Sequence, residues 1–289
     1  MRATSCTGVA FLNGATLHFS ACLKIKKDIM KTFGKISVLF LFLLGFAAAC
    51  SDDDNNNPPA GNATLTVKLT DAPGVYDAVN VEILSMEANL GDGWQEFPVA
   101  TPGVYNLIDF TNGNTLILLG NTSVEPNTMT ELRLILGTNN TVVVDGNTYE
   151  LKTPSGQTSG YKVKMDPQVL APGGVYNFVL DFDASKSVTE TGNGKYILNP
   201  VVTGYLENSL GGIAGTVNPA AAVSYVEAVN AGGSAGTIPD PATGEFLIST
   251  LLPGTYDVTF TAVPPYVNQT VTGIVVTAGQ VTQMGTINF

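Results

Sequence analysis

From residue 63 onward the chain is written in short alternating runs. Thr64–Thr70 places Leu65, Val67 and Leu69 at every second position, with threonine and lysine between them, which is the period of a half-buried strand. Val79, Val81 and Ile83 repeat the pattern, and Leu132, Leu134 and Leu136 alternate around Arg133. Tyr161, Val163 and Met165 oppose Lys162 and Lys164, and Tyr256, Val258 and Phe260 line a later strand. In Val175–Asp183, Tyr176, Phe178, Leu180 and Phe182 form one face, while Asn177, Asp181 and Asp183 share the other. Turn clusters such as Asp71-Ala72-Pro73-Gly74, Gly91-Asp92-Gly93, Asn112-Gly113-Asn114, Ala171-Pro172-Gly173-Gly174 and Ala278-Gly279-Gln280 separate the runs. Asp145-Gly146 between two valine- and tyrosine-bearing segments predicts a hairpin closed by a type I′ turn. Val104–Phe110 reads as a strand, and Thr115–Leu119 as a short strand or one helical turn. The pattern predicts an all-β protein of two tandem β-sandwiches, residues 62–208 and 211–289, with Leu210-Gly211-Gly212 as the joint.

The segment in front is patterned differently. Ile36–Ala49 is almost wholly apolar, and Lys31 and Lys35 precede it. Fourteen helical residues reach about 21 Å, short of a ~30 Å hydrocarbon core, so the run suits a signal peptide better than a permanent span. It closes on Phe46-Ala47-Ala48-Ala49-Cys50. Small residues before a cysteine resemble the lipobox of bacterial lipoproteins. The resemblance implies cleavage before Cys50, thioether lipidation of its sulfur and acylation of the new amine. Several acyl chains anchor stably in a bilayer where one is marginal. Ser51-Asp52-Asp53-Asp54 follows at once and resembles the surface-export signal of Bacteroidota lipoproteins. Residues 30–49 are then the signal peptide, and residues 50–61 an acidic tether that cannot bury a core. Extended, Ser51–Gly61 spans about 36 Å. A signal peptide starting at Met30 is complete, so residues 1–29 are expected to be an upstream extension of the reading frame.

Composition narrows the chemistry. Residues 1–49 hold six of the 13 basic residues and one of the 24 acidic ones, leaving seven against 23, a formal charge of −16. Such a chain has no basic stripe for nucleic acid and disfavours polyphosphate or anionic lipid. His18, the one histidine, and Cys6 and Cys22 also lie in that segment. The remainder lacks imidazole and has only Cys50 as a thiol, which excludes Ser-His-Asp and Cys-His nucleophiles, thiolate or imidazole zinc sites and disulfides. No enzyme activity and no resident cofactor are expected.

An enzyme would have to work with carboxylates, with Lys or Tyr, or with a hard oxygen-bound metal, and the carboxylates are the best chemical candidates. Asp181 and Asp183, two residues apart with Asn177 at the same phase, present oxygen donors of the kind Ca²⁺ takes. The plain alternative is a solvated strand end, and Asp71 and Asp77 raise the same choice. Trp94, the only tryptophan, reads as core or rim packing, or as a stacking platform for a sugar. Arg133, the only arginine after Cys50, is expected to meet a carboxylate on the sheet surface.

Two resemblances follow from longer motifs. Leu69-Thr70-Asp71-Ala72-Pro73, Tyr76-Asp77-Ala78-Val79, Val179–Val188 and Gly194–Val202 stand in the order of the family catalogued as domain of unknown function 4382. The chain resembles it over residues 63–204, which implies a β-sandwich and no assigned activity. One departure is Glu125-Pro126-Asn127-Thr128, where such domains carry a Pro-x-Gly turn. Gly244-Glu245-Phe246, then Leu252-Pro253-Gly254-Thr255-Tyr256-Asp257-Val258 and a valine-rich strand resemble the carboxypeptidase regulatory-like module. That resemblance implies a transthyretin-like sandwich of seven strands.

The expected function is that of a non-enzymatic outer-membrane lipoprotein exposed on the cell surface, acting in binding, adhesion or as an accessory to an outer-membrane complex. Its partners are then the bilayer, through Cys50, and a glycan or protein. One alternative is a fimbrial-type structural subunit, against which Lys68 stands inside the first strand with no arginine nearby. Another is a Ca²⁺-assisted glycan binder. Labelled palmitate is expected to enter the wild-type chain in its bacterial host and to be absent from the Cys50→Ala variant; label retained by the variant removes the anchor.

Overall fold

The computed structural model describes residues 61–72, 74, 76–153 and 159–289. Cys50, the Ser51–Asp54 signal, the signal peptide and residues 1–29 lie outside the described residues. The described residues form part of one compact unit, and they hold two separate hydrophobic cores.

The first sandwich begins with β1 (Ala63–Ala72), β2 (Ala78–Asn89), β3 (Trp94–Asn106), β4 (Leu116–Val124), β5 (Asn127–Met129), β6 (Glu131–Leu136) and β7 (Thr141–Val144). It continues with β8 (Asn147–Lys152), β9 (Tyr161–Val163), β10 (Gln168–Leu170), β11 (Val175–Asp183), β12 (Val188–Thr191), β13 (Lys195–Leu198) and β14 (Val202–Leu206). A single helical turn, α1 (Ala184–Ser187), joins β11 to β12. One sheet runs β14-β11-β1-β4, a second runs β12-β13-β8-β7-β2-β6-β9 with β3 alongside β2, and β10 and β5 form a two-stranded ribbon. The alternating positions do what their period dictates: Leu65, Val67, Leu69, Phe178, Leu180 and Phe182 are buried, together with Val81, Ile83, Leu132 and Leu134 of the larger sheet. Asp145 and Gly146 take positive φ values, 49° and 72°, as the hairpin between β7 and β8 requires.

Two elements differ from the pattern. Val104–Phe110 is split between the end of β3 and a 3-10 turn over Leu107–Phe110. Thr115–Leu119 opens a strand that runs on to Val124, with a register shift around Thr66 where Asn121 adopts φ 43°. Bulges carry this kind of kink without breaking the ladder.

The second sandwich has seven strands: β15 (Gly211–Asn218), β16 (Val223–Asn230), β17 (Gly233–Thr237), β18 (Glu245–Leu251), β19 (Gly254–Ala262), β20 (Gln269–Val276) and β21 (Val281–Asn288). They form a sheet ordered β18-β15-β21 and another ordered β17-β16-β19-β20. Ile213, Phe246, Ile248, Tyr256, Val258 and Phe260 fill the space between. Phe260 meets Phe246 and Phe289 edge-on, at centroid distances of 5.6 and 6.1 Å.

Part of the outer face of the β14-β11-β1-β4 sheet is covered too, although Asn177, Val175 and Ile117 on that face stay exposed. Register places Thr70 beside Asp181, and Val179 beside Tyr205. On that face Thr70 is 3% and Val179 6% exposed. The cover is the second sandwich, and its key contact is a turn residue. Asn112, at φ 55°, accepts from the Leu247 N–H at 2.6 Å through Oδ1 and donates to the Glu245 carbonyl at 3.4 Å through Nδ2. The side-chain amide thus mimics a neighbouring strand along the open edge of β18, which pairs only with β15. Gly113, at φ 82°, passes so close that a Cβ there would lie 2.5 Å from Leu247 Cδ2. Lys68 on β1 also pairs with Glu207 in the linker at 2.6 Å.

Removing this lock should loosen the seam without emptying either core. Asn112→Ala loses two hydrogen bonds and Gly113→Ala adds a clash and a left-handed penalty, each expected to cost about 1–3 kcal/mol. Calorimetry should show the melting transition lowered by roughly 2–4 °C per ~1 kcal/mol.

Candidate functional site

Two places on the molecule gather polar chemistry. The first is the seam between the sandwiches. β11 carries Asp181 and Asp183 outward, and β1 brings Asp71 to the adjacent strand end, beside Phe182 in register. Asp71 is 5% exposed; its Oδ1 accepts from the Ala184 N–H at 2.9 Å. Asp183 caps α1, accepting from Lys186 N at 3.0 Å and from Ser185 Oγ at 2.6 Å, and it pairs with Lys186 Nζ at 2.5 Å. Asp71 Oδ2 and Asp181 Oδ1 are enclosed and have no hydrogen-bond partner among the described residues.

Desolvation governs their charge. Burial pushes the Asp71 carboxyl up to about 9, the Ala184 N–H opposes this, and the charges of Asp181 and Asp183 add to the rise. Burial and then the Asp183 charge push Asp181 up to about 6, against a hydrogen bond from the Thr250 hydroxyl of β18 and the charge of Lys186. The Tyr225 hydroxyl of β16, pushed up to about 12, is raised first by burial and then by Glu227, Asp183, Asp71 and Asp181. Burial thus favours the protonated form of Asp71, whose Oδ2 lacks a partner among the described residues.

This arrangement does not unite the oxygen donors nominated for Ca²⁺. Asn177 is exposed and stands four residues before Asp181 on the same strand, about 13 Å away at strand rise. Asp183 is occupied by α1 and Lys186. Among the described residues no three His, Cys, Asp or Glu side chains are arranged to hold a metal ion. Asp77 accepts from the Gly146 N–H at 2.8 Å and so pins the β7–β8 hairpin.

The second place is a groove of about 550 Å³ at the other end of β1. One wall is the β2–β3 turn and the other the β4–β5 turn, with Asn62 between them. Gly91 and Gly93, at φ 89° and 134°, shape the first turn. A Cβ on Gly91 would lie 2.7 Å from Asn127 Oδ1, so the two turns are in close contact there. Asn127 Nδ2 donates to Asp92 Oδ2 at 3.3 Å, and Asn62 Nδ2 to Ser123 Oγ at 2.9 Å.

Trp94 lines this groove and is 36% exposed. The Arg133 guanidinium lies 3.5 Å from its ring centroid, a close cation–π stack. Arg133 also meets Glu87 at 3.9 Å, the carboxylate partner its sequence context predicts. Trp94 is thus a rim residue held in plane on one ring face. Sequence reasoning picked out Trp94 but not Gln95, Ser123, Glu125 or Asn127. The available signal was the departure at Glu125-Pro126-Asn127-Thr128, which builds the wall opposite Trp94.

Residues 62–200 match the family model described as Domain of unknown function (DUF4382). No curated protein matches the chain. Two solved structures are similar in part. The Bacillus anthracis TIE protein is 10% identical with a TM-score of 0.23, and the match covers 79% of this chain and 34% of that one. A fimbrial protein from Bacteroides ovatus is 8% identical with a TM-score of 0.23, covering 80% of this chain and 50% of that one. The chain therefore spans a third to a half of the length of these proteins, and likenesses this distant carry nothing about the site.

The two buried acids make stability depend on pH with a defined sign. Asp71 and Asp181 bind protons more tightly folded than unfolded, so each contributes stability below its unfolded value that is lost as pH rises toward about 9 and about 6 respectively. The melting temperature is expected to fall between pH 5 and pH 9.5. Asp71→Asn should flatten the part of that slope above pH 6 and melt higher than wild type at pH 9.5; an unchanged slope overturns the assignment.

Proposed function

We propose that the protein is a non-enzymatic lipoprotein of a bacterial outer membrane, held at the cell surface through acylated Cys50 and serving as a binding or adhesion module or as an accessory to an outer-membrane complex. The single observation that carries this reading is how the carboxylates are used. Once His18 is removed with the signal peptide, catalysis would have to use carboxylates, Lys, Tyr or a hard oxygen-bound metal, and the four acids that the sequence nominated have structural roles or are buried. Asp71 holds Ala184, Asp77 holds the β7–β8 turn, Asp181 is buried beside Asp183, and Asp183 caps α1. The Phe46–Cys50 lipobox and the Ser51–Asp54 run support the location.

Residues 211–289 are read as a carboxypeptidase regulatory-like module. Seven strands in two sheets support that reading, as does the buried Tyr256, Val258 and Phe260 face that follows Leu252-Pro253-Gly254. Lys68 sits within β1, between β11 and β4, and pairs with Glu207. That favours a lipid-tethered module over a subunit that gives up its first strand.

Surface display is tested on intact cells of the bacterial host. Added protease is expected to shave the protein from wild-type cells and to spare it when Asp52, Asp53 and Asp54 are all changed to Ala. Protection in both strains overturns surface exposure, and turnover of a substrate by the purified full-length chain overturns the non-enzymatic reading.

A further inference from the structure

We infer that the groove between the β2–β3 and β4–β5 turns is a binding site for a neutral saccharide. The inference rests on the binding reading above for its biological setting only; the site itself stands on geometry.

Size comes first. About 550 Å³ falls within the ~300–1,000 Å³ range of small-ligand sites. The floor is apolar, with Leu90 7% and Val124 2% exposed. The walls carry amides, a hydroxyl and carboxylates from Gln95, Asn127, Ser123, Asp92 and Glu125. Asn62 and Asn127 are already fixed by hydrogen bonds to Ser123 and Asp92, so part of the wall is organised before any ligand arrives. The Gln95 and Glu125 side chains make no hydrogen bond among the described residues, and both line the groove. They are unspent donors and acceptors beside an indole.

That combination fits a pyranose. A sugar ring offers an axial C–H face to an aromatic ring and a rim of hydroxyls that both donate and accept. Arg133 stacks on one face of Trp94, the indole is 36% exposed and lines the groove, and the stack lowers the entropy cost of using it. Gln95 offers both donor and acceptor, and Glu125 and the second oxygen of Asp92 accept. Charge sets the class further. The lining holds Asp92 and Glu125 and no Lys, Arg or His, and Arg133 against the indole is paired with Glu87, so uronic or sialic acid sugars meet repulsion that neutral hexoses and pentoses do not. A peptide would instead look for an open strand edge with alternating apolar pockets; here side-chain polar groups dominate and the apolar part is a single floor.

The chain holds one tryptophan, so its emission reports this groove alone. The purified full-length protein is titrated with cello-, malto-, laminari-, xylo- and mannohexaose, and in parallel with hexagalacturonate and a mixed hexapeptide library. A saturable change in Trp94 emission with at least one neutral hexasaccharide is expected, with none from hexagalacturonate. By calorimetric titration, Gln95→Ala and Glu125→Ala should each weaken that binding by about tenfold while melting within the wild-type range. No response to any neutral hexasaccharide, binding only to hexagalacturonate or the peptides, or undiminished affinity in both variants overturns the proposal. The Cys50→Ala chain should bind the sugar as wild type does, so loss of the anchor and loss of the site are read separately.

Discussion

The architecture depends on burying one face and part of the other of a single four-stranded sheet. The inner face is hydrophobic and follows the usual economy of a sandwich. On the outer face the second sandwich takes the Thr70, Val179 and Asp181 end out of water, while Asn177, Val175 and Ile117 stay exposed. Burying polar groups costs free energy unless they find partners, so the seam is built from substitutes for water. Thr70 donates to the Phe110 carbonyl at 2.8 Å, and Asn112 supplies the edge of β18. On the inner side, beside Phe182, Asp71 Oδ2 has no partner among the described residues, and burial pushes that carboxyl up to about 9. Lys186 is the cation at this cluster, and it is itself raised chiefly by its hydrogen bond to Asp183.

Much of this fold was legible in the residues. The strict alternation of Leu65, Val67 and Leu69, or of Phe178, Leu180 and Phe182, states which side is buried. The Asp145-Gly146 pair states its own turn. The strands that were misjudged are those whose environment is not set by alternation. β3 is mostly exposed, with Phe97 and Val99 its only buried members, so its length follows from pairing with β2 and has no signature of its own. β4 continues past Gly120 because Asn121 absorbs a kink in a left-handed conformation, which a sequence pattern reads as an end.

The seam was hidden for a different reason. A polar strand face looks the same whether it meets water or another domain. Val179 sits among Asn177, Asp181 and Asp183 and is nearly inaccessible, yet one valine in a polar series does not announce a partner. Asn112 reads as turn punctuation until the edge of β18 is beside it. The groove is similar: its two turns are separated by about 30 residues, and only their contact at Gly91 and Asn127 makes them walls of one space. Local rules give strands and turns, while sites made from unlike loops belong to tertiary structure.

The placing of β1 also has a mechanical side. It is bonded to β11 in parallel along Thr64–Ala72 and to β4 in antiparallel. Traction entering at Asn62 is directed along this strand first. The ladders on its two flanks then carry the load side by side, in shear, so that many bonds must yield together where a strand peeled from an edge would lose them one at a time.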